Sequence, residues 1–312
     1  MTGIVYAEVP YVPPPSGHVP GWDHLEVEWH GADGSVWDLT NPDSGVFIQR
    51  AGFRGLGMPT IIHHRDRTPA RPGAHWRGYT VDSREAHWIV HLFHDGGTRE
   101  FVELDRAFWK AFHPDSEGEL VVRVPGVSER RLSLRYIDDG NWAPEQDPTF
   151  FGWTKYEMDL QADSNPFWRE TVEPVQWSAS APSLFHGGKT AGAPIIRVSS
   201  GRLTSSATLV NTGDEESTGT WTVFGPSTFA SISIGGKLME FPMTLSNDSQ
   251  WIKVDTRPDM LTVVDHTGAN RITGMGAFNP IPIPRGEVPI ALTMTGTGRI
   301  RLERENLFHR AW

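Results

Sequence analysis

The chain has 312 residues, a formal net charge of −10 and no cysteine. The missing cysteines exclude disulfides and cysteine-based zinc sites, and the acidic balance argues against a dedicated nucleic-acid binder, which would carry a basic stripe. Glycine (32) and proline (24) are abundant, and only one segment has a persuasive helical pattern. The composition therefore favours a mainly β protein, and the length favours two cores of ordinary size.

Membrane insertion and secretion are not expected. No apolar run approaches the roughly 20 residues that are needed to span a bilayer. The first residues, MTGIVYAEVPYVPPP, lack the basic start and the apolar stretch of a secretory signal. We therefore expect a soluble protein that is synthesised in the cytoplasm.

Residues 1–23 are rich in proline, which excludes a central strand. We expect this segment to form an extended arm. Two placements are open for it: the arm lies on its own domain, or it reaches a neighbouring chain.

Residues 24–165 predict a β-rich domain with one helix. Alternating apolar residues on both sides of the turn at residues 31–34 predict a hairpin. The segment TREFVELDRAFWKAF, residues 98–112, spaces most of its apolar residues three and four apart, which predicts a helix with Thr98 as its N-cap. Further strands are expected at residues 45–49, 59–64, 87–93, 119–124 and 129–137.

The stretch FFGWTKYEMDLQADSNPFWRE, residues 150–170, is the expected hinge between two halves. Its apolar and polar residues alternate up to Leu160, which is typical of a strand with one buried face. Pro166 ends this pattern because proline fixes φ, and two aromatic residues follow at once. The sequence therefore predicts a domain junction at Trp153, Tyr156, Pro166, Phe167 and Trp168.

Residues 166–304 predict a second domain made of strands. Turn residues separate the strand patterns at intervals of roughly eight to twelve residues, which favours a two-sheet antiparallel sandwich of the jelly-roll type. The strands are expected at residues 195–199, 205–210, 218–224, 228–234, 239–245, 251–254, 260–265, 288–295 and 298–303.

Four local features, in this order and spacing, resemble a known protein family. They are the GSVWDLT turn and strand, the midpoint YEMDLQADSNPFWRE, the segment NTGDEESTGTWTVFGP with its Asn-x-Gly-Asp turn, and the closing ALTMTGTGRIRLERENLF. Together they span nearly the whole chain, and none is a catalytic signature. They resemble the distal tail protein of long, flexible-tailed phages (siphophages), and in detail the tail proteins of phages that infect actinobacteria.

The resemblance implies a fold and an assembly. Residues 24–165 would form a split β-barrel-like domain with one helix, and six copies of this domain would close a ring. Residues 166–304 would form a galectin-like β-sandwich that projects outward, and residues 305–312, ENLFHRAW, would return to the first domain. Some family members carry a carbohydrate-binding module inserted in the sandwich, but no loop here is long enough for one.

The resemblance also implies a function. The chain would be a structural protein at the distal end of the virion's tail, where its homo-hexamer joins the tail-tube protein to the tail-tip hub or baseplate. Further expected partners are the tape measure protein and receptor-binding proteins. DNA would pass through the ring without specific binding. Neither enzymatic activity nor a cofactor is implied.

Arg130, Arg131 and Arg135 are candidates for subunit contacts. They lie close in sequence to an acidic stretch at residues 138–145, so unlike charges of two subunits could meet there. The alternative is a solvated face of mixed charge. Trp109 on the predicted helix is a further candidate for this interface.

The histidines and aspartates of the chain give only weak patterns for a metal site or a catalytic site. Six histidines lie within residues 63–94, but their spacing matches no metal motif, so we expect surface or interface histidines. A glycosidase needs two carboxylates that flank a cleft, and Asp159 and Asp163 would share one face if the midpoint strand extended to residue 163. A solvated edge is the preferred interpretation of this pair.

Tryptophans in the second half leave an alternative function open. Trp177, Trp221 and Trp251 either pack in the core or stack on a sugar ring. In the second case the chain would be a cell-wall glycan-binding protein that acts through its β-sandwich, with Trp221 and Trp251 as glycan contacts.

Overall fold

The computed structural model describes residues 24–67, 72–140, 142–144, 146–178, 202–258 and 260–312. Its first half contains the following elements: β1 (Glu26–His30), β2 (Val36–Asp38), β3 (Val46–Arg54), β4 (Ile61–Asp66), β5 (His75–Val81), β6 (Arg84–Phe93), α1 (Thr98–Lys110), β7 (Gly118–Val124), β8 (Ser128–Asp138), α2 (Pro148–Phe151) and β9 (Trp153–Ala162).

The described part of the second half consists of strands and one 3-10 turn. The strands are β10 (Trp168–Ser178), β11 (Arg202–Asn211), β12 (Gly219–Phe224), β13 (Ser227–Ile234), β14 (Lys237–Phe241), β15 (Trp251–Asp255), β16 (Thr262–Asp265), β17 (Gly286–Gly296) and β18 (Arg299–Phe308). The protein is therefore mainly β, as the composition predicted. The arm at residues 1–23 and the strand expected at 195–199 lie outside the described residues.

Two strands were not predicted from the sequence. Strand β5 has no buried residue along its length, so its sequence shows no apolar alternation. Strand β10 begins where an aromatic corner was expected, and it contains Pro174 and a bulge between Val172 and Val175. Proline and a bulge are tolerated together because a bulge already interrupts the ladder of hydrogen bonds.

The helix α1 begins one position earlier than the expected cap implied. Gly97, with φ of 123°, occupies the N-cap, and Thr98 is the first helical residue. The Thr98 hydroxyl donates to the Thr149 carbonyl in α2 (2.8 Å) instead of capping its own helix. The helix buries Phe101 and Phe108 against the sheets, so its expected amphipathic face is confirmed.

One twelve-stranded antiparallel sheet runs through both halves in the order β16-β15-β12-β18-β10-β8-β7-β1-β2, with β9, β6 and β3 branching from β8. The branch arises because two strands share one edge of β8. Arg131 of β8 pairs with Arg169 of β10, whereas Tyr136 pairs with Leu160 of β9. Strand β8 therefore belongs to both layers that enclose the first core.

Side-chain alternation explains how these strands enclose the first core. In β9 every second residue from Thr154 to Ala162 is buried, as the midpoint pattern predicted. In β6 the buried residues are Arg84, Ala86, Trp88, Val90 and Leu92. The helix α1 and the strands β1, β7 and β8 supply the remaining surfaces of this core.

Gly118 shows how tightly this core is packed. A Cβ atom at this position would lie 2.3 Å from Cζ2 of Trp29. Trp29 also meets Trp88 edge to face, with ring centroids 5.2 Å apart. Glycine is required at position 118 because the tryptophan ring occupies the volume of any side chain there.

The second half is a sandwich of two sheets. The strands β10, β18, β12, β15 and β16 face a four-stranded sheet in the order β11-β17-β13-β14. Trp221, Phe241 and Leu292 are buried between the two sheets with seventeen other apolar residues among those described. A two-sheet antiparallel sandwich was the expected architecture of this half.

Candidate assembly site at the domain junction

Arg84 is the centre of the junction between the two halves. Its side chain is 2% exposed and lies on the inner face of β6. Nε donates to the Pro166 carbonyl (2.6 Å), Nη1 to the carbonyls of Gly55 (2.8 Å) and Gly57, and Nη2 to the His309 carbonyl (2.7 Å). One guanidinium therefore holds the loop after β3, the corner after β9 and the end of the chain together.

The Arg84 guanidinium donates to backbone carbonyl oxygens from three separate segments. Burial lowers its pKa to about 10, so it stays charged at neutral pH. The carbonyl dipoles satisfy the donors of the buried cation, which would otherwise strongly destabilise the folded state. Because these acceptors belong to rigid backbone, the contacts determine how the three segments are placed.

The last strand joins both cores. Leu302 of β18 lies in the second core, whereas Phe308 at its end lies in the first core, and Ala311 beyond it is buried there too. On one side β18 pairs with β10, from Trp168 opposite Phe308 onward, and on the other side it pairs with β12. The strand continues unbroken to Phe308, beyond the expected strand end at residue 303.

Arg130 fixes the end of this strand. Its guanidinium lies over the Phe308 ring, 3.5 Å from the ring centroid, and pairs with Glu170 (3.2 Å). It also donates to the Arg310 carbonyl (2.9 Å). These contacts lie within one chain and leave little of the Arg130 side chain exposed.

A polar network ties the β4–β5 hairpin to the second half. The Tyr79 hydroxyl donates to Oε1 of Glu215 (3.0 Å), and Nε2 of His309 lies 2.9 Å from the same oxygen. The hydrogen bond to Glu215 raises the pKa of Tyr79, so the phenol stays protonated. The hairpin is thus attached at its base to a turn that follows β11.

The residues predicted for the junction separate into two groups. Pro166, Phe167 and Trp168 lie at the junction: Pro166 accepts from Arg84, the Phe167 ring meets His309 (5.7 Å), and Trp168 is buried in the first core. Trp153 and Tyr156 lie at the opposite end of β9, where Tyr156 meets Trp109 edge to face (4.9 Å). Neither residue lies at the junction, because Trp153 is nine and Tyr156 six residue steps of extended strand from Ala162, roughly 30 and 20 Å.

The candidates for subunit contacts make contacts within the chain. Arg131 pairs with Glu119 and Glu129, and Arg135 pairs with Asp163 and Glu117. Trp109 packs on Tyr136, Tyr156, Phe108 and Phe112. Glu145, in the acidic stretch, lies outside the described residues.

The predicted sugar contact at Trp221 is excluded in this fold. Trp221 is fully buried and stacks on Trp177, with ring centroids 6.1 Å apart, so neither face is free for a sugar. Trp251 is half-buried at the start of β15, where it pairs with Phe224 of β12. The alternation of β12 placed Trp221 inward with Val223, which is the signal that could have separated the two tryptophans.

The histidines and carboxylates form pairs. His87 lies 2.7 Å from Asp159, and Asp163 accepts from Arg135 (3.1 Å). Within the described ranges no group of three or more His, Asp or Glu side chains is arranged to hold a metal ion.

Of the helices in the same part of the chain, none is long and apolar enough to cross a membrane.

Arg84 was missed in the sequence because the strand was expected to begin at residue 87. The period-two pattern of REAHWIVHLF, continued back by three residues, places Arg84 on the face of Ala86 and Trp88. An arginine in line with a buried face signals a cation with several acceptors around it.

The fold of this chain is similar to that of solved phage proteins, although its sequence matches no family. No family model matches the chain, and no curated protein matches it. The SPP1 Dit protein, described as a paradigm of the hub adsorption apparatus in phages that infect Gram-positive hosts, is 16% identical, with a TM-score of 0.59 over 91% of this chain and 99% of its own.

Two further solved structures show the same likeness. A chain of the phage p2 baseplate in its activated conformation with Sr is 12% identical, with a TM-score of 0.56 over 91% of this chain and 98% of its own. A chain of the same baseplate with Ca is 13% identical, with a TM-score of 0.54 and the same coverage, 91% and 98%. The chain therefore has the fold of phage distal tail and baseplate proteins.

Proposed function

We propose that the chain is a structural protein of a phage tail tip, a distal tail protein whose copies close a hexameric ring. The observation that carries the proposal is the extent of the fold likeness. It covers 91% of this chain and 99% of the SPP1 Dit protein, so both halves and their connection are included in one match. A shared fold alone leaves the function open, and the described surfaces supply the second argument.

The β4–β5 hairpin is the surface best suited to contact a neighbouring subunit. Its two strands form a sheet of their own, and Ile62, Trp76 and Tyr79 are exposed on it. An edge strand with exposed aromatic residues is a template for pairing with another chain. A contact between this hairpin and a different surface of the next subunit is heterologous, and heterologous contacts generate a ring when the rotation between neighbouring subunits closes.

The roles of the two halves follow from this arrangement. Residues 24–165 form the ring in the proposal, and the galectin-like sandwich at residues 166–304 projects from it and anchors host-recognition proteins. The closing residues 305–312 hold the two halves in a fixed orientation through Phe308 and the Arg84 contacts. Arg131 and Arg135 stay partly exposed and remain candidates for contacts between subunits.

The partners and the location belong to the same proposal. The ring lies at the distal end of the tail of a siphophage that infects an actinobacterium, between the tail-tube protein and the tip hub. Tape measure and receptor-binding proteins adjoin it. The charge of −10 on each chain disfavours DNA binding to the ring as DNA passes through. The chain acts by its geometry and not as an enzyme.

Native mass is the test of the ring. Light scattering over a dilution series should give six chain masses for the wild type. The double variant Ile62→Ala, Trp76→Ala should shift the protein toward smaller species, because it removes two exposed apolar side chains of the hairpin and keeps the contact of Tyr79 with Glu215. His87→Ala is the matched control, since His87 contacts Asp159 on another surface.

Two outcomes would contradict the proposal. A trimer would indicate a different tail-tip or fibre component. A monomer at every concentration, also after mixing with the purified tail-tube protein, would leave no ring to propose. If His87→Ala alone lost assembly, the subunit interface would lie on the outer face of β6 and not on the hairpin.

A further inference from the structure

A cleft beside the first residues of β9 has the lining of a ligand site. It lies between the loop that follows β8 and the start of β9, and its volume is about 400 Å³. Cavities of this size hold small molecules. Its lining includes two tryptophans and four charged or amide side chains: Trp142, Trp153, Asp139, Gln146, Lys155 and Glu157.

Each of the two indoles is supported from inside the protein. Trp153 stacks on His91, with ring centroids 5.7 Å apart, and His91 stacks in turn on Phe47 (5.4 Å). Trp142 donates from Nε1 to the Lys155 carbonyl (3.0 Å), and its ring lies 5.1 Å from that of Tyr156.

Both indoles nevertheless remain open to the cleft side. Trp142 is 37% exposed and Trp153 is 42% exposed. Aromatic rings that are already held in place lose little conformational entropy when a ligand stacks on them. The cleft is therefore preorganised for a flat apolar surface.

The polar side chains restrict what that surface can belong to. The carboxylates of Asp139 and Glu157 are acceptors, and Lys155 donates from Nζ to Oε1 of Glu157 (2.8 Å). This hydrogen bond lowers the pKa of Glu157, so its carboxylate stays ionised. A purely apolar ligand would desolvate these charges without replacing their hydrogen bonds, and an anion would meet two carboxylates.

We propose that this cleft binds a neutral or amino saccharide. A pyranose ring combines an apolar C–H face, which stacks on an indole, with equatorial hydroxyls that donate to carboxylates and amides. The site differs from the sandwich site that the sequence suggested, because Trp142 and Trp153 belong to the first half and Trp221 is buried. It is contained within one chain, so saccharide binding can fail while ring formation holds, and the reverse.

The test begins with the full chain on a printed array of defined neutral and amino oligosaccharides. The retained saccharide is then titrated by calorimetry against wild type, Trp142→Ala, Trp153→Ala and Glu157→Gln. We expect each tryptophan variant to bind about tenfold more weakly or worse, because stacking aromatic residues dominate such contacts. Glu157→Gln should also bind more weakly, and its exposed position leaves the core intact.

Trp312→Ala is the matched control, since Trp312 is an exposed tryptophan near the end of the described chain and does not line the cleft. It should bind as the wild type does. An array on which no saccharide is retained would overturn the proposal. So would equal affinity of wild type and the double variant Trp142→Ala, Trp153→Ala. The proposal would also be overturned if the cleft bound a synthetic peptide of the proline-rich residues 8–21 but no saccharide.

Discussion

The guanidinium of Arg130 lies 3.5 Å from the centroid of the Phe308 ring, and this contact closes the first core over the end of the last strand. Arg130 belongs to β8 in the first half, whereas Phe308 ends a strand that begins in the second half. The contact therefore joins segments that are almost 180 positions apart in the sequence. The orientation of the two halves is therefore fixed by packing in the first core and not by a connecting segment.

Phe308→Ala tests this role of the last strand. Phe308 is 8% exposed, so its truncation leaves a cavity in the first core and removes the partner of Arg130. We expect a loss of about 3 kcal/mol in the free energy of unfolding, measured by urea denaturation. Trp312→Ala is the control, because Trp312 is 50% exposed and its loss should change stability by less than about 0.5 kcal/mol. Equal stability of Phe308→Ala and wild type would show that the strand end is not held by the core.

Arg84→Met tests the buried cation. The methionine keeps most of the apolar volume but leaves four backbone carbonyls buried without their donor. We expect a loss of about 3–5 kcal/mol in urea denaturation, and only partial recovery in Arg84→Lys, because one ammonium cannot reach all four oxygens. Arg54→Met, at an exposed position of β3, serves as the control. If Arg84→Met is as stable as Arg54→Met, the hydrogen bonds of Arg84 to the four carbonyls do not stabilise the fold.

Gly118→Ala tests the packing against Trp29. The added methyl would lie 2.3 Å from the ring, so the ring or the strand must move. We expect a loss of about 1–3 kcal/mol in the free energy of unfolding, together with a changed near-ultraviolet circular dichroism signal from the tryptophans. Gly57→Ala has open space around the added methyl and should be close to neutral. If the two variants are equally stable, the core near Trp29 is less tightly packed than described.

Asp265 should make stability depend on pH. Its carboxylate accepts from the Thr267 hydroxyl (2.6 Å) and from Nε of Arg271 (2.6 Å), and these hydrogen bonds hold its pKa below the ordinary value of 3.8. The unfolded chain therefore binds this proton at a higher pH than the folded chain does. The stabilisation is present above about pH 4 and is lost as the pH falls further.

Urea midpoints of wild type and Asp265→Asn at several pH values between about 7 and 2 measure this effect. The wild type should be the more stable protein at neutral pH, and the difference between the two midpoints should shrink below about pH 4. Asp248→Asn, at an exposed position, is the control for a general charge effect. A difference that stays constant over the whole range would show that the Asp265 carboxylate is not titrating as expected.

The sequence alone determined the strands whose two faces differ. In β9 the alternation of Tyr156, Met158 and Leu160 with charged residues predicted both the strand and its buried face. The helix α1 followed in the same way from its apolar spacing. Burial on one face leaves a period in the sequence, and that period can be read without knowing what covers the face.

The tertiary structure alone decided which distant segments meet. Strand β5 was not predicted because its residues face solvent on both sides. The last strand was expected to end at residue 303, because no local pattern shows that it continues to Phe308 in the other core. Trp153 and Trp168 look alike in sequence, yet one lines an open cleft and the other is buried at the junction. Local periodicity indicates whether a side chain is buried, but the partners of that side chain depend on strand pairing between residues far apart in the sequence. This pairing places Arg84 next to the carbonyls of Gly55, Pro166 and His309.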